Sequence, residues 1–134
     1  MENRLEINNP VLAKLNSEAD GIQAFLGTHA NLQDPASLTY RLGDLDVYLA
    51  RLGDMLVYSK ALKERAQNKF MTDNEDRLSK LTATVSNRLI NSFLYEYKIT
   101  TERLDTMYHV CEHLSRDLVT QISYVKKQME NFGG

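Results

Sequence analysis

Apolar residues recur along this chain at alternating spacings of four and three. Leu38, Leu42, Leu45, Leu49, Leu52 and Leu56 follow that rhythm, and Ser59, Ala66 and Phe70 continue it with small or apolar side chains. Lys63 alone interrupts it. A sustained period of about 3.5 residues is that of a helix burying one stripe against other helices. The spacing predicts a helix over 36–71, started by Asp34-Pro35 with Asp at the cap and Pro at the first helical position. At about 1.5 Å per residue such a helix is roughly 50 Å long.

The same start signal, Asn9-Pro10, precedes Val11, Leu12, Leu15, Ala19, Ile22, Phe25 and Leu26, and predicts a helix over 10–28. Thr72-Asp73-Asn74-Glu75-Asp76 is polar and rich in capping residues, so it is the candidate break after the long helix. A continuous helix through it is the alternative. Leu78, Leu81, Val85, Leu89, Ile90 and Phe93 predict a third, shorter helix over 83–93, capped by Thr82 or Thr84. A last helix over 95–131 carries Tyr97, Leu104, Met107, Cys111, Leu114, Leu118, Ile122, Val125 and Met129, again close to heptad spacing. The expected fold is all-α: one helical domain over 1–134, a long-helix bundle of three or four helices with coiled-coil-like packing. Leu42, Leu45, Leu49, Leu52, Leu56, Leu104, Leu114, Leu118, Ile122 and Val125 are the expected packing residues.

Two long stripes exceed what two short helices can cover. Uncovered apolar length is normally buried by a second copy, so a homo-oligomer, most simply a dimer, is expected.

One segment repeats. Arg41-Leu42-Gly43-Asp44 with Val47-Tyr48 returns ten residues later as Arg51-Leu52-Gly53-Asp54 with Val57-Tyr58. Ten residues are about 2.8 turns, so the copies point roughly 80° apart. A glycine inside a helix costs about 1 kcal/mol relative to alanine. Gly43 and Gly53 therefore suggest a close approach by another backbone or a ligand, or else a tolerated duplication.

Composition narrows the function classes. The chain has 134 residues, one domain by length, and a formal net charge of -2, so no basic surplus advertises nucleic acid. The single Cys111 cannot form an internal disulfide, which fits a reducing compartment. No apolar run has membrane length, and no apolar segment follows Met1-Glu2-Asn3-Arg4 as a secretory signal requires. A cytoplasm, bacterial or otherwise, is the expected location, without a membrane.

Candidate chemistry is sparse. His109-Val110-Cys111-Glu112-His113 spells H-x-x-E-H, a zinc-peptidase pattern. A catalytic zinc needs a third ligand, and the acids on neighbouring turns, Asp105 and Asp117, suit surface pairing with the histidines instead. Neither a phosphate loop nor a nucleophile motif occurs, and Cys111 falls on the apolar stripe. No enzyme, metal or cofactor is expected. Lys60, Lys63, Arg65 and Lys69 cluster late in the second helix, with Arg51 and Tyr58 before them. Together they are the candidates for holding an anionic ligand or a nucleic-acid strand, with tyrosine as a stacking platform. Cations complementing the helix C-terminus are the plainer reading.

Leu81-Thr82-Ala83-Thr84-Val85, then Glu102-Arg103-Leu104-Asp105, Leu114, and Gln121-Ile122-Ser123-Tyr124-Val125-Lys126-Lys127 resemble a group of small all-helical bacteriophage and prophage accessory proteins. The resemblance covers roughly residues 78–129 and brings no catalytic residues. It implies a non-enzymatic protein acting by binding inside a bacterial host. The expected role is an anti-defence inhibitor that occupies a host immune protein or sequesters its nucleotide signal. A nucleic-acid accessory of phage recombination or replication, and a purely structural helical oligomer, are the alternatives.

Overall fold

The computed structural model describes residues 6–29 and 34–133. The described residues form five helices and no strand: α1 (Pro10–Leu26), α2 (Pro35–Asp73), α3 (Glu75–Ser79), α4 (Ala83–Phe93) and α5 (Tyr95–Gly133). The fold is all-α. The expected count of three or four is corrected to five, because the chain breaks twice between the long helices. Asn74 stops α2, its backbone N–H and side-chain amide both donating to the Phe70 carbonyl. After one short turn, α3 ends at Lys80. Thr82, in extended conformation, then restarts the helix by accepting from the Val85 N–H.

Local chemistry sets the other starts. The Asn9 side chain accepts from the N–H groups of Val11 and Leu12, with Pro10 at the first helical position. Asp34 accepts from the Ala36 N–H ahead of Pro35. These bonds satisfy donors that a helix start leaves without partners.

Contacts between α2 and α5 fix their direction. Ser59 meets Thr101 at 2.6 Å, Asp46 meets Ser115 at 3.1 Å, and the Cys111 thiol donates to the Leu45 carbonyl at 3.3 Å. Residue numbers fall on α2 as they rise on α5, so these two 39-residue helices are antiparallel. Helix α1 runs beside them, parallel to α5. Asn16 bonds Thr100, while Arg103 bonds Asn16, Asp20 and Gln23. Arg41 closes the other end of α1 by donating to the carbonyls of Phe25 and Thr28 and lying 4.0 Å over the Phe25 ring.

The core sits where three helices meet. Leu12, Leu15, Ala19 and Ile22 of α1 join Leu38, Leu45, Leu52 and Met55 of α2 and Leu104, Met107 and Cys111 of α5. Of the expected packing residues, Leu45, Leu52, Leu56, Leu104, Leu118, Ile122 and Val125 are buried, whereas Leu42, Leu49 and Leu114 are half-buried against them. Ser59 continues the stripe as a fully buried hydroxyl, satisfied by Thr101. From Lys60 to Phe93 no residue is buried. There Phe70 stacks on Phe93 with ring centroids 4.4 Å apart, and Leu62, Leu78, Leu89 and Ile90 are half-covered.

The repeated glycines part company. Gly53 lies under the Tyr108 ring, which a Cβ would approach to 3.5 Å. Around Gly43 there is open space. The close approach at Gly53 is made by a side chain.

Candidate functional site

Helix α1 packs more closely on α5 than on α2. Arg103 explains the lean: one guanidinium on α5 holds the Asn16 carbonyl and side chain at 3.2 and 3.0 Å, Asp20 at 2.6 Å and Gln23 at 2.7 Å. At the N-terminal end, Glu96 accepts from the backbone N–H groups of Asn8 and Asn9, and Tyr97 accepts from the Asn9 amide. Among the described residues fewer bonds draw α1 onto α2: Arg51 holds Glu18, and Arg41 holds the Phe25 carbonyl at the far end. The result is a groove of roughly 680 Å³ between α1 and α2.

Its floor is apolar, formed by Val11, Leu15 and Met55. Its rim is polar, with Lys14, Ser17 and Glu18 from α1 and Arg51, Asp54 and Tyr58 from α2. One bridge crosses it. Arg51 donates to both oxygens of Glu18, at 2.8 Å from Nε and 2.7 Å from Nη2, the paired geometry that suits guanidinium and carboxylate. The bonds from Arg51 hold the Glu18 carboxyl below its usual pKa, against the smaller opposing effect of burial. The same pair raises Arg51 above its ordinary value. Both side chains remain substantially exposed, so the bridge orients more than it stabilises. Lys14, Asp54 and Tyr58 make no hydrogen bond or ion pair with any described residue and face solvent at the rim.

The six residues expected to bind an anion do not form one patch. A heptad step returns to nearly the same face, drifting about 20°. Arg51, Tyr58 and Arg65 are heptad steps apart, and Lys69 is one turn beyond, so these four follow one outward stripe of α2. Lys60 and Lys63 lie on a different face, with Lys63 half-buried toward the seam. Only Arg51 and Tyr58 reach the groove, and Arg51 is occupied by Glu18. The groove's α1 residues had no distinguishing signal in the sequence; a lysine, a serine and a glutamate on an amphipathic helix read as solvent-facing.

The histidines of H-x-x-E-H stay on the surface. His109 sits 3.5 Å from Asp105, one turn back, and its neighbour Glu112 bonds Arg116. Among the described residues no group of three His, Cys, Asp or Glu side chains converges as metal ligands do. Cys111 is fully buried, and that burial, with a smaller effect of Asp46, raises its pKa, which leaves the thiol protonated and unreactive. No described helix is long and apolar enough to cross a membrane. Comparison with protein-family models, with curated proteins and with solved structures finds no match.

Proposed function

We propose that this chain is a non-enzymatic binding protein whose α1–α2 groove receives a segment of a partner protein. The observation that carries the reading is the composition of the groove: an apolar floor under a rim of both charge signs. Apolar anchors with a few placed polar groups are what a peptide or helix segment supplies. A nucleotide or nucleic-acid strand would bring its phosphates against Glu18 and Asp54, which favours protein over the anionic ligand. The resemblance of residues 78–129 to phage accessory proteins supports a bacterial host as the setting, and a host immune protein as the partner. Heptad spacing on α2 and α5 supports coiled-coil-like packing of the scaffold that presents the groove.

The test uses the tagged full chain expressed in host-like bacterial cells, with its native mass recorded after a high-salt wash. A stoichiometric protein mass is expected on the wild type and is expected to be lost from Val11→Asp and from Lys14→Glu. Both positions are exposed on α1, so folding should survive. Retention of the same mass by both variants would overturn the groove reading. One observation favours the nucleic-acid alternative: Tyr58, Arg65 and Lys69 share a stripe with Arg51. Binding of that kind weakens steeply with salt. In that case a heterogeneous polynucleotide, evident by absorbance in a chain without tryptophan, would replace the protein mass.

A further inference from the structure

Helix α2 is apolar on two sides. The stripe through Leu45 and Leu52 faces α5 and is buried. A second stripe at the same three-four spacing faces away from it: Tyr40, Gly43, Val47, Ala50, Val57 and Ala61, interrupted by Asp54 alone. All are exposed, Tyr40 by 78%, Val47 by 68% and Val57 by 69%. A helix apolar on opposite faces belongs between two neighbours, and among the described residues this second face has none. We propose that the outward stripe of α2 packs against the same stripe of a second copy, antiparallel, about a twofold axis near residue 52. This surface adjoins the α1–α2 groove and shares Arg51, Asp54 and Tyr58 with its rim, but its centre at Val47 and Val57 lies outside the groove, so association of two copies is tested independently of that reading.

The stripe is self-complementary in that register. Val47 falls opposite the partner's Val57, and Gly43 falls opposite the partner's Ala61, where two small residues allow close backbone approach. Around Gly43 there is open space in the single chain. Asp54 falls opposite the partner's Ala50, next to the partner's Arg51. Tyr40 falls opposite the partner's Glu64, a hydroxyl beside a carboxylate.

The flanks agree. Asp46 comes beside the partner's Lys60 on one side, and Asp44 beside the partner's Tyr58 on the other. Lys60, Asp44 and Tyr58 have no polar partner among the described residues of their own chain, so these contacts displace none. Among the described residues Asp46 carries only the Ser115 hydroxyl. Arg51 meets the partner's Arg51 across the axis, each neutralised by its own Glu18.

A parallel pairing fails on charge. It sets Asp54 against the partner's Asp54 inside the seam and Lys60 beside the partner's Arg65. Charges beside a helix seam choose orientation and partner, and like charges there are repulsive. An isologous twofold pairing also closes on itself, leaving no open end for fibre growth.

The experiment is sedimentation equilibrium of the full chain, with cysteine trapping. The wild type is expected to be a dimer. Val47→Glu places a charge opposite the partner's Val57 twice per dimer, and is expected to weaken association at least a hundredfold while leaving the helical circular dichroism signal unchanged. For trapping, Val47→Cys and Val57→Cys chains are mixed and oxidised. A disulfide is expected in the mixture and in neither variant alone, because ten residues of offset separate identical positions by about 15 Å, beyond the roughly 7 Å that a disulfide spans. Buried Cys111 stays out of the reaction. A monomeric wild type, a Val47→Glu dimer as tight as wild type, or crosslinking of Val47→Cys alone would each overturn the proposal.

Discussion

The two ends of the α2–α5 hairpin share one heptad pattern and differ in what covers it. Between Leu38 and Ser59, α1 lies across the hairpin, and Leu12, Leu52, Leu104 and Cys111 have no exposure at all. Beyond Ser59 the third helix is missing. Helix α1 begins at Pro10, level with Tyr97, and among the described residues nothing of equal length takes its place farther along. Helices α3 and α4, of five and eleven residues, fold back there, and every side chain from Lys60 to Phe93 keeps some contact with water. A stripe specifies which face of a helix is apolar. Whether that face becomes core depends on a third element to cover it.

The contrast predicts unequal costs for equal changes. Leu104→Ala, at the three-helix level, should lose about 2–5 kcal/mol, the range for a large cavity in a packed core. Leu89→Ala, on half-covered α4, should lose about 1 kcal/mol, in line with the smaller area it removes from water. Urea unfolding of both variants measures the difference, and equal losses would mean that the outer end is packed as well as the middle.

The boundary between the regions is a polar contact. Ser59 and Thr101 are each other's buried partners at 2.6 Å. Ser59→Ala leaves a buried hydroxyl unpaired and should cost about 1–3 kcal/mol. Adding Thr101→Val removes that hydroxyl too and should restore part of the loss. A double variant less stable than Ser59→Ala would show that the contact is not a self-contained pair.

Amide hydrogen exchange should separate the regions directly. Protection at residues 104–111 of α5 and 45–56 of α2 should exceed that of residues 83–93 by more than about tenfold, since local opening tracks the apolar contact each segment makes. Uniform protection from residue 38 to residue 118 would erase the distinction.

The smallest effect belongs to the bridge across the groove. Glu18 has a lowered pKa because Arg51 bonds its charged form. A carboxyl depressed in the folded state contributes stability above its unfolded value, about 4.3 for glutamate, and loses it as pH falls through the folded value. Glu18→Gln should therefore melt slightly below wild type at pH 7, with the difference closing in the acid range under about pH 4. Melting curves at both pH values measure it. A gap that persists in acid would assign the loss to packing.

Much of this was legible along the chain. Asn9-Pro10, Asp34-Pro35 and Thr82 act through neighbours two or three residues away, so their caps could be read locally. The apolar period that gives an all-α fold is local too. The extra short helix α3 was not legible, because one turn carries too few residues to show a period. The anionic-ligand set was misleading as a group: nearness along a helix spread Lys60 and Lys63 onto a face away from Tyr58, Arg65 and Lys69.

By itself, then, the sequence determined the four longer helices, where they start, and that α2 has an apolar stripe through Leu45 and Leu52. It also contained the second stripe through Tyr40 and Val47. Spacing alone could not say which of the two turns inward, since both have the same period. Only the tertiary structure decided that. Pairing with α5 turned Leu45 and Leu52 inward and left Val47 and Val57 in water, and Arg103 drew α1 toward α5 and opened the groove beside α2. The physical reason is range: caps and periodicity act within a few residues, whereas Arg103 meets Asp20 across 83 positions of chain.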